Sequence, residues 1–238
     1  MRKTLISVLC FVTVGAISAV GHGSVIVYDL GNPNVSPPAL QAVGAAIYSV
    51  THSGITLTAH GFDSGNNPKL LEWKAQGGDE NGLGFTDTLD NEITLNSSNH
   101  PANYIQIDVT AALSAGGLNG EIKVGSVTGG EAFDVWGSNT LGSLGTNLVS
   151  GNTTDNAFIT IPSWGLYNFI AVTVHPEILH HMMLQDDSQT YTDNVVLGAV
   201  EFTQSDVPEP ATLSLLAVGG LAFLRRNRKT WSVEVIRA

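Results

Sequence analysis

From residue 24 to residue 202 the chain reads as short runs of alternating or β-branched apolar residues, each closed by Gly, Asn, Ser or Pro. In Tyr104 to Val109, Ile105, Ile107 and Val109 share one side and Tyr104, Gln106 and Asp108 the other. That period of two is the mark of a half-buried strand. Glu121 to Val127 sets Ile122 and Val124 inward against Glu121 and Lys123, and Glu131 to Gly137 sets Phe133 and Val135 inward, leaving Asp134 and Trp136 on the polar side. Further strands are predicted at Ser24 to Leu30, Leu70 to Ala75 (with Trp73), Ile93 to Leu95, Ala157 to Ile161, Asn168 to Val174 and Asn194 to Phe202. Ala45 to Val50 and Gly54 to His60, separated by Thr51-His52-Ser53-Gly54, read as a hairpin.

Pro33, Pro37 and Pro38 make a loop after the first strand, and Asp63 to Pro68 makes another. Gln76 to Phe85 carries four glycines in ten residues and is expected to be a loop of fixed shape. Only Thr110 to Ala115 and Pro176 to Leu184 are expected as short helices, and no repeat of fixed period is present. The pattern predicts an all-β, antiparallel β-sandwich of jelly-roll type.

The two ends break this pattern. Arg2-Lys3, an apolar run from Leu5 to Val20 and the small residues Ala19 and Gly21 form a cleavable export signal over residues 1–21. At the other end stand Val207-Pro208-Glu209-Pro210, an uncharged run of 14 residues from Ala211 to Leu224, and Arg225-Arg226-Asn227-Arg228-Lys229. As a helix that run reaches about 21 Å, short of the ~30 Å of a bilayer core. Its cationic end favours the cytoplasmic side. The segment is expected to be an anchor helix that holds the chain in the membrane for a time, with Pro208 and Pro210 keeping the peptide before it extended.

These parts resemble the PEP-CTERM sorting signal, with Val207, Pro208, Glu209, Pro210, Arg225, Arg226 and Arg228 as its residues. The resemblance implies a substrate of exosortase, a membrane cysteine protease or transpeptidase that cuts near the motif and passes the ectodomain, residues 22–206, to the cell surface. The chain departs from the pattern in running on from residue 230 to residue 238, an atypical extension. A second block, from Gly77 to Val109, with Glu80-Asn81-Gly82-Leu83-Gly84, then Asn91-Glu92-Ile93, then Ile105-Gln106-Ile107-Asp108, resembles an element of many ectodomains that carry the same tail. It too implies a β-sandwich.

The ectodomain is strongly acidic. Its cations are Lys69, Lys74 and Lys123 alone, against 19 acids, a balance of -16 where the whole chain has -11. Nucleic acid and anionic lipid surfaces are poor partners for such a surface. The single cysteine, Cys10, lies in the export signal with Leu9 before it, where a lipoprotein signal has a small residue. The mature chain thus has no disulfide, thiol nucleophile or thiolate metal site.

Candidate chemistry is sparse. The loops Asp63 to Asn67 and Asp79 to Glu92 hold hard oxygen ligands suited to a structural Ca²⁺, but solvated turn residues are the plainer reading, and no cofactor is expected. His175, Glu177, His180 and His181 lie within seven residues without zincin spacing, and Pro176 separates the first from the rest. A loop covering a core edge is favoured there over a metal site. Trp73, Trp136, Trp164 and Tyr167 offer aromatic faces for sugar rings, although such residues are more often core. Trp136 is singled out because alternation places it outside. The sequons at Asn34, Asn96 and Asn152 carry little weight beside a bacterial-type tail. No nucleophile elbow, phosphate loop or Ser/His/Asp order is present, whereas paired carboxylates are invisible to sequence.

The reading is an exported, exosortase-sorted surface or extracellular-matrix protein, non-enzymatic and associated with exopolysaccharide. A carbohydrate-binding module is the alternative, and a glycan-active enzyme the third.

Overall fold

The structure, a computed structural model, describes residues 23–31, 45–75, 81–86, 88, 91–94, 103–176 and 194–205. Among these the chain forms 13 strands and one short helix, in two sheets whose pairings are all antiparallel. The expected export signal and the whole of the tail lie outside the described residues.

One sheet is built on the last strand, β13 (Asn194–Gln204). Along one edge β13 pairs with β8 (Gly117–Gly125), which in turn holds β11 (Phe158–Thr160). Three short strands share its other edge: β6 (Ile93–Thr94) at Asn194 and Val195, β5 (Asn81–Phe85) at Leu197, and β1 (Ser24–Asp29) from Ala199 to Gln204. β4 (Leu71–Ala75) closes this side by pairing with β5. Val195, Val196, Leu197, Ala199, Val200 and Phe202 are all buried, whereas Glu201, Thr203 and Gln204 towards its end are partly exposed.

The second sheet runs β10-β9-β12-β7-β3-β2. Its strands are β10 (Thr146–Asn152), β9 (Phe133–Ser138), β12 (Phe169–Val174), β7 (Tyr104–Asp108), β3 (Ile55–Phe62) and β2 (Ile47–His52). The predicted inward residues meet between the sheets. Ile105, Ile107, Phe133, Val135, Ile170 and Val172 from one sheet pack with Ile26, Tyr28, Ile122, Val124, Leu197 and Phe202 from the other in a single core. Each fully buried aliphatic side chain contributes about 1.5–3 kcal/mol to holding the layers together. The helix α1 (Thr110–Ser114) carries the chain from β7 to β8 and buries Ala112.

Two expectations are corrected. Residues 81–85, expected to lie in a loop because of their glycines, form the strand β5. Glycine is needed there because other backbone crosses close by: a Cβ on Gly82 would stand 2.7 Å from the Leu197 carbonyl oxygen, and one on Gly84 2.0 Å from that of Asn91. The strand β10 was not legible at all, since Thr146–Asn152 does not alternate and its ladder with β9 is interrupted twice by irregularities. Of the two expected helices, α1 is present and Pro176 to Leu184 lies outside the described residues beyond Pro176.

Candidate functional site

The outer face of the six-stranded sheet carries the residue singled out by alternation. Register lines up His60, Gln106, Ala171, Trp136 and Asn147 in one row across β3, β7, β12, β9 and β10. The next row holds Phe62, Tyr104, Thr173 and Asp134. Trp136 does project away from the main core, as predicted, but it is half-buried. It packs with Leu144 against a second cluster of Phe62, Tyr104 and Ala171, where the Phe62 and Tyr104 rings lie 5.2 Å apart. Its indole N–H is enclosed and meets no acceptor among the described residues.

What covers this face is the loop 139–145, and Gln106 holds it down. The fully buried Gln106 accepts a hydrogen bond at Oε1 from the Gly142 N–H (2.8 Å) and donates from Nε2 to the carbonyls of Ser143 (2.9 Å) and Thr140 (3.4 Å). All three bonds tie a strand residue to loop backbone. Sequence reasoning placed Gln106 on a polar, outward side; nothing in the sequence shows that a loop more than thirty residues on folds over it.

Beyond the loop, on β2 and β3, the same face stays open. Ser49, Thr51 and Thr56 are exposed, and cross-strand hydroxyl pairs form between Ser49 and Thr58 (3.0 Å) and between Thr51 and Thr56 (2.8 Å). His60 lies beside them, its rings stacked near Phe62 and its pKa lowered by burial. Hydroxyls spaced along a flat ladder are donors and acceptors at once.

The seven-stranded sheet bears on its outer face a groove of about 440 Å³, lined by Val25, Asn119, Glu121, Thr160, Glu201 and Thr203, with Phe202 at its floor. Glu121 and Glu201 are direct cross-strand partners. Burial and then the hydrogen bond and charge of Glu121 raise the Glu201 pKa, and Thr160 Oγ1 donates to Glu121 Oε1 (3.2 Å). Sequence could not show this pair, because it depends on register between strands some eighty residues apart.

The remaining candidates are held by structural bonds. Asp63 Oδ1 accepts from the backbone N–H groups of Asn67 and Gly65 (both 2.8 Å), and the Asn67 amide reaches both its oxygens. These bonds, those of Asn67 foremost, lower its pKa. Asn66 of the same turn accepts from the Tyr104 hydroxyl (2.8 Å). These bonds close the loop on itself. Glu92 is buried and paired with Lys74 at 2.5 Å, both almost without exposure; the rest of the second acidic loop lies largely outside the described residues. His175 Nδ1 meets Asp134 Oδ1 at 2.7 Å, and the same oxygen accepts from the Gly151 N–H. Glu177, His180 and His181 lie outside the described residues. Among the described residues no three His, Cys, Asp or Glu side chains converge as a metal site. Trp73 and Trp164 pack half-buried against the main core, as does Tyr167, and the Trp164 N–H donates to the Gly117 carbonyl (3.1 Å).

The tail leaves from a defined place. β13 ends at Gln204, opposite Ser24 in β1 and Gly117 in β8, and Ser205 is bonded to the Gly116 carbonyl through both its N–H and its hydroxyl. The motif residues Val207, Pro208, Glu209, Pro210, Arg225, Arg226 and Arg228 lie outside the described residues. Among the described residues no helix is long and apolar enough to cross a membrane. Residues 206–229 match the family model of the PEP-CTERM protein-sorting motif. No curated protein and no solved structure matches the chain.

Proposed function

From the premise that this chain carries a PEP-CTERM sorting motif at residues 206–229 and is therefore an exosortase-sorted, exported protein, we propose that its ectodomain acts at the cell surface or in the extracellular matrix as a non-enzymatic component associated with exopolysaccharide. The observation that carries the reading is the placement of that motif, which begins two residues after the strand that organises one of the two sheets. The ectodomain before it, residues 22–206, is acidic and free of cysteine, and its described residues form a sandwich, a make-up suited to a hydrated, oxidising exterior.

The open quarter of the six-stranded sheet is the surface best suited to polysaccharide. Its Ser49, Thr51, Thr56 and Thr58 hydroxyls exchange hydrogen bonds with sugar hydroxyls, and His60 gives the ladder a ring at its border. Trp136, half-buried under the loop 139–145, contributes packing to this face more than an open stacking surface. Binding through such a ladder is weak per site and gains strength by multivalency along a polymer.

The test incubates the purified ectodomain with the producer's own polysaccharide and scores both co-sedimentation and release of reducing ends. Co-sedimentation that falls in Thr51→Val/Thr56→Val, with an unchanged melting curve and no reducing ends, is the expected result. Loss of binding in Trp136→Ala without unfolding would instead assign a binding module centred on that residue. Reducing ends that accumulate with time and vanish in Glu201→Gln would make the protein an enzyme.

A further inference from the structure

Of the exposed large apolar side chains among the described residues, Leu166, Val25 and Leu118, 68%, 60% and 52% exposed, sit where β13 ends, whereas Ile47, 54% exposed, and Leu70 and Leu141 lie elsewhere. Val25 and Leu118 flank Thr203 on either side in register. Leu166 ends the turn that begins at Ser163, and Trp164 within that turn is bonded to Gly117, the partner of Gln204. The same pole carries both chain ends of the sandwich, since Ser24 stands opposite Gln204.

Sequence adds the second observation. The apolar run that ends at Val20 lies four residues before Ser24, and the one that begins at Ala211 lies seven residues after Gln204. Fully extended, those connections span at most about 14 and 25 Å. Until the export signal is removed, both membrane-seeking segments leave one pole of one sheet, and afterwards the tail alone still ties that pole to the segment that enters the bilayer. Exposed apolar residues gathered at a defined spot mark a contact surface, and this spot is the one that the tethers hold toward the bilayer.

We infer that the pole formed by Val25, Leu118 and Leu166 is a lipid-contacting surface, on which the folded ectodomain rests while the tail is in the membrane. The inference rests on the reading of residues 207–229 as a sorting tail that enters the bilayer. The uncharged side chains sit in the outer headgroup region, while Glu121 and Glu201, one step further from the end of β13, keep the contact shallow and favour lipid without net charge. Such seating holds the peptide after Ser205 at the membrane face, where a membrane protease meets it.

The experiment uses the full chain in a Cys10→Ser background, so that single cysteines can be labelled with a polarity-sensitive fluorophore. The sites are Leu118→Cys, Leu166→Cys, Leu70→Cys near the opposite pole, and Leu216→Cys within the tail. Each protein is reconstituted in phosphatidylcholine vesicles that contain nitroxide-bearing lipid, and Val25→Cys replaces any pole variant whose melting transition is lost. The expected result is a blue shift and loss of emission at residues 118, 166 and 216, with residue 70 unaffected. Quenching at 216 with 118 and 166 behaving like 70 would overturn the pole contact and leave the membrane tail standing. No quenching at 216 would overturn both, and equal quenching at all four would replace the specific pole with general adsorption.

Discussion

Lys74 and Glu92 show how little a residue's type says about where it ends up in an acidic ectodomain. Taking two charges out of water costs several kcal/mol each, and the pair holds only because each neutralises the other. Glu131 is raised in pKa by burial and also by the charge of Glu92. Lys74→Met alone is expected to lose ~3–5 kcal/mol in urea unfolding, and Lys74→Met/Glu92→Leu to recover most of it. A double variant no more stable than the single one would show that the pair is needed for more than mutual neutralisation. Gln106 is the neutral counterpart. Gln106→Ala removes its three bonds to the loop 139–145 and is expected to cost ~1–3 kcal/mol, with faster amide exchange at Gly142 as the local sign.

Among the elements, β13 decides most. It joins the chain's last described segment to its first and to β8, so the seven-stranded sheet closes only when residues 194–204 are in place. Its pairing with β8 also sets Glu201 against Glu121, like charges directly opposite, an arrangement that opposes folding. Because the folded pKa of Glu201 is raised, its protonated form favours the folded state. That contribution is complete below the ordinary carboxylate range and is lost as pH rises through the raised value. Glu201→Gln is therefore expected to raise the melting temperature at neutral pH by up to about 4 °C and to leave it nearly unchanged near pH 3. The effect stays small because both groups are partly solvated. Equal shifts at both pH values would point to packing instead of charge.

For the whole molecule, the sandwich ends where the sorting motif begins, and Ser205 is still bonded to Gly116. An enzyme that cuts at Pro208 to Pro210 works within a few residues of folded structure. Intact-mass measurement of surface-extracted protein is expected to give a C-terminus in that interval. A mature species that keeps Trp231 to Ala238 would mean a permanent anchor, with the residues after the Arg cluster blocking the cut.

The alternation in Tyr104 to Val109, Glu121 to Val127 and Glu131 to Gly137, with turn residues between, was enough to specify strands and an antiparallel sandwich, because a period of two has one structural meaning. The order of parts after residue 206 was enough to specify sorting, because that signal is read as a linear peptide. The loop that β5 was expected to be, the unseen β10, the Gln106 latch, the Lys74–Glu92 pair and the Glu121–Glu201 groove all depend on which strand lies beside which. Glycine in Asn81–Phe85 looks like a turn until Leu197 and Asn91 cross within van der Waals reach. Trp136 obeyed its alternation and is still half-buried, since period fixes the face on which a side chain stands and only the tertiary path of a distant loop fixes what covers that face.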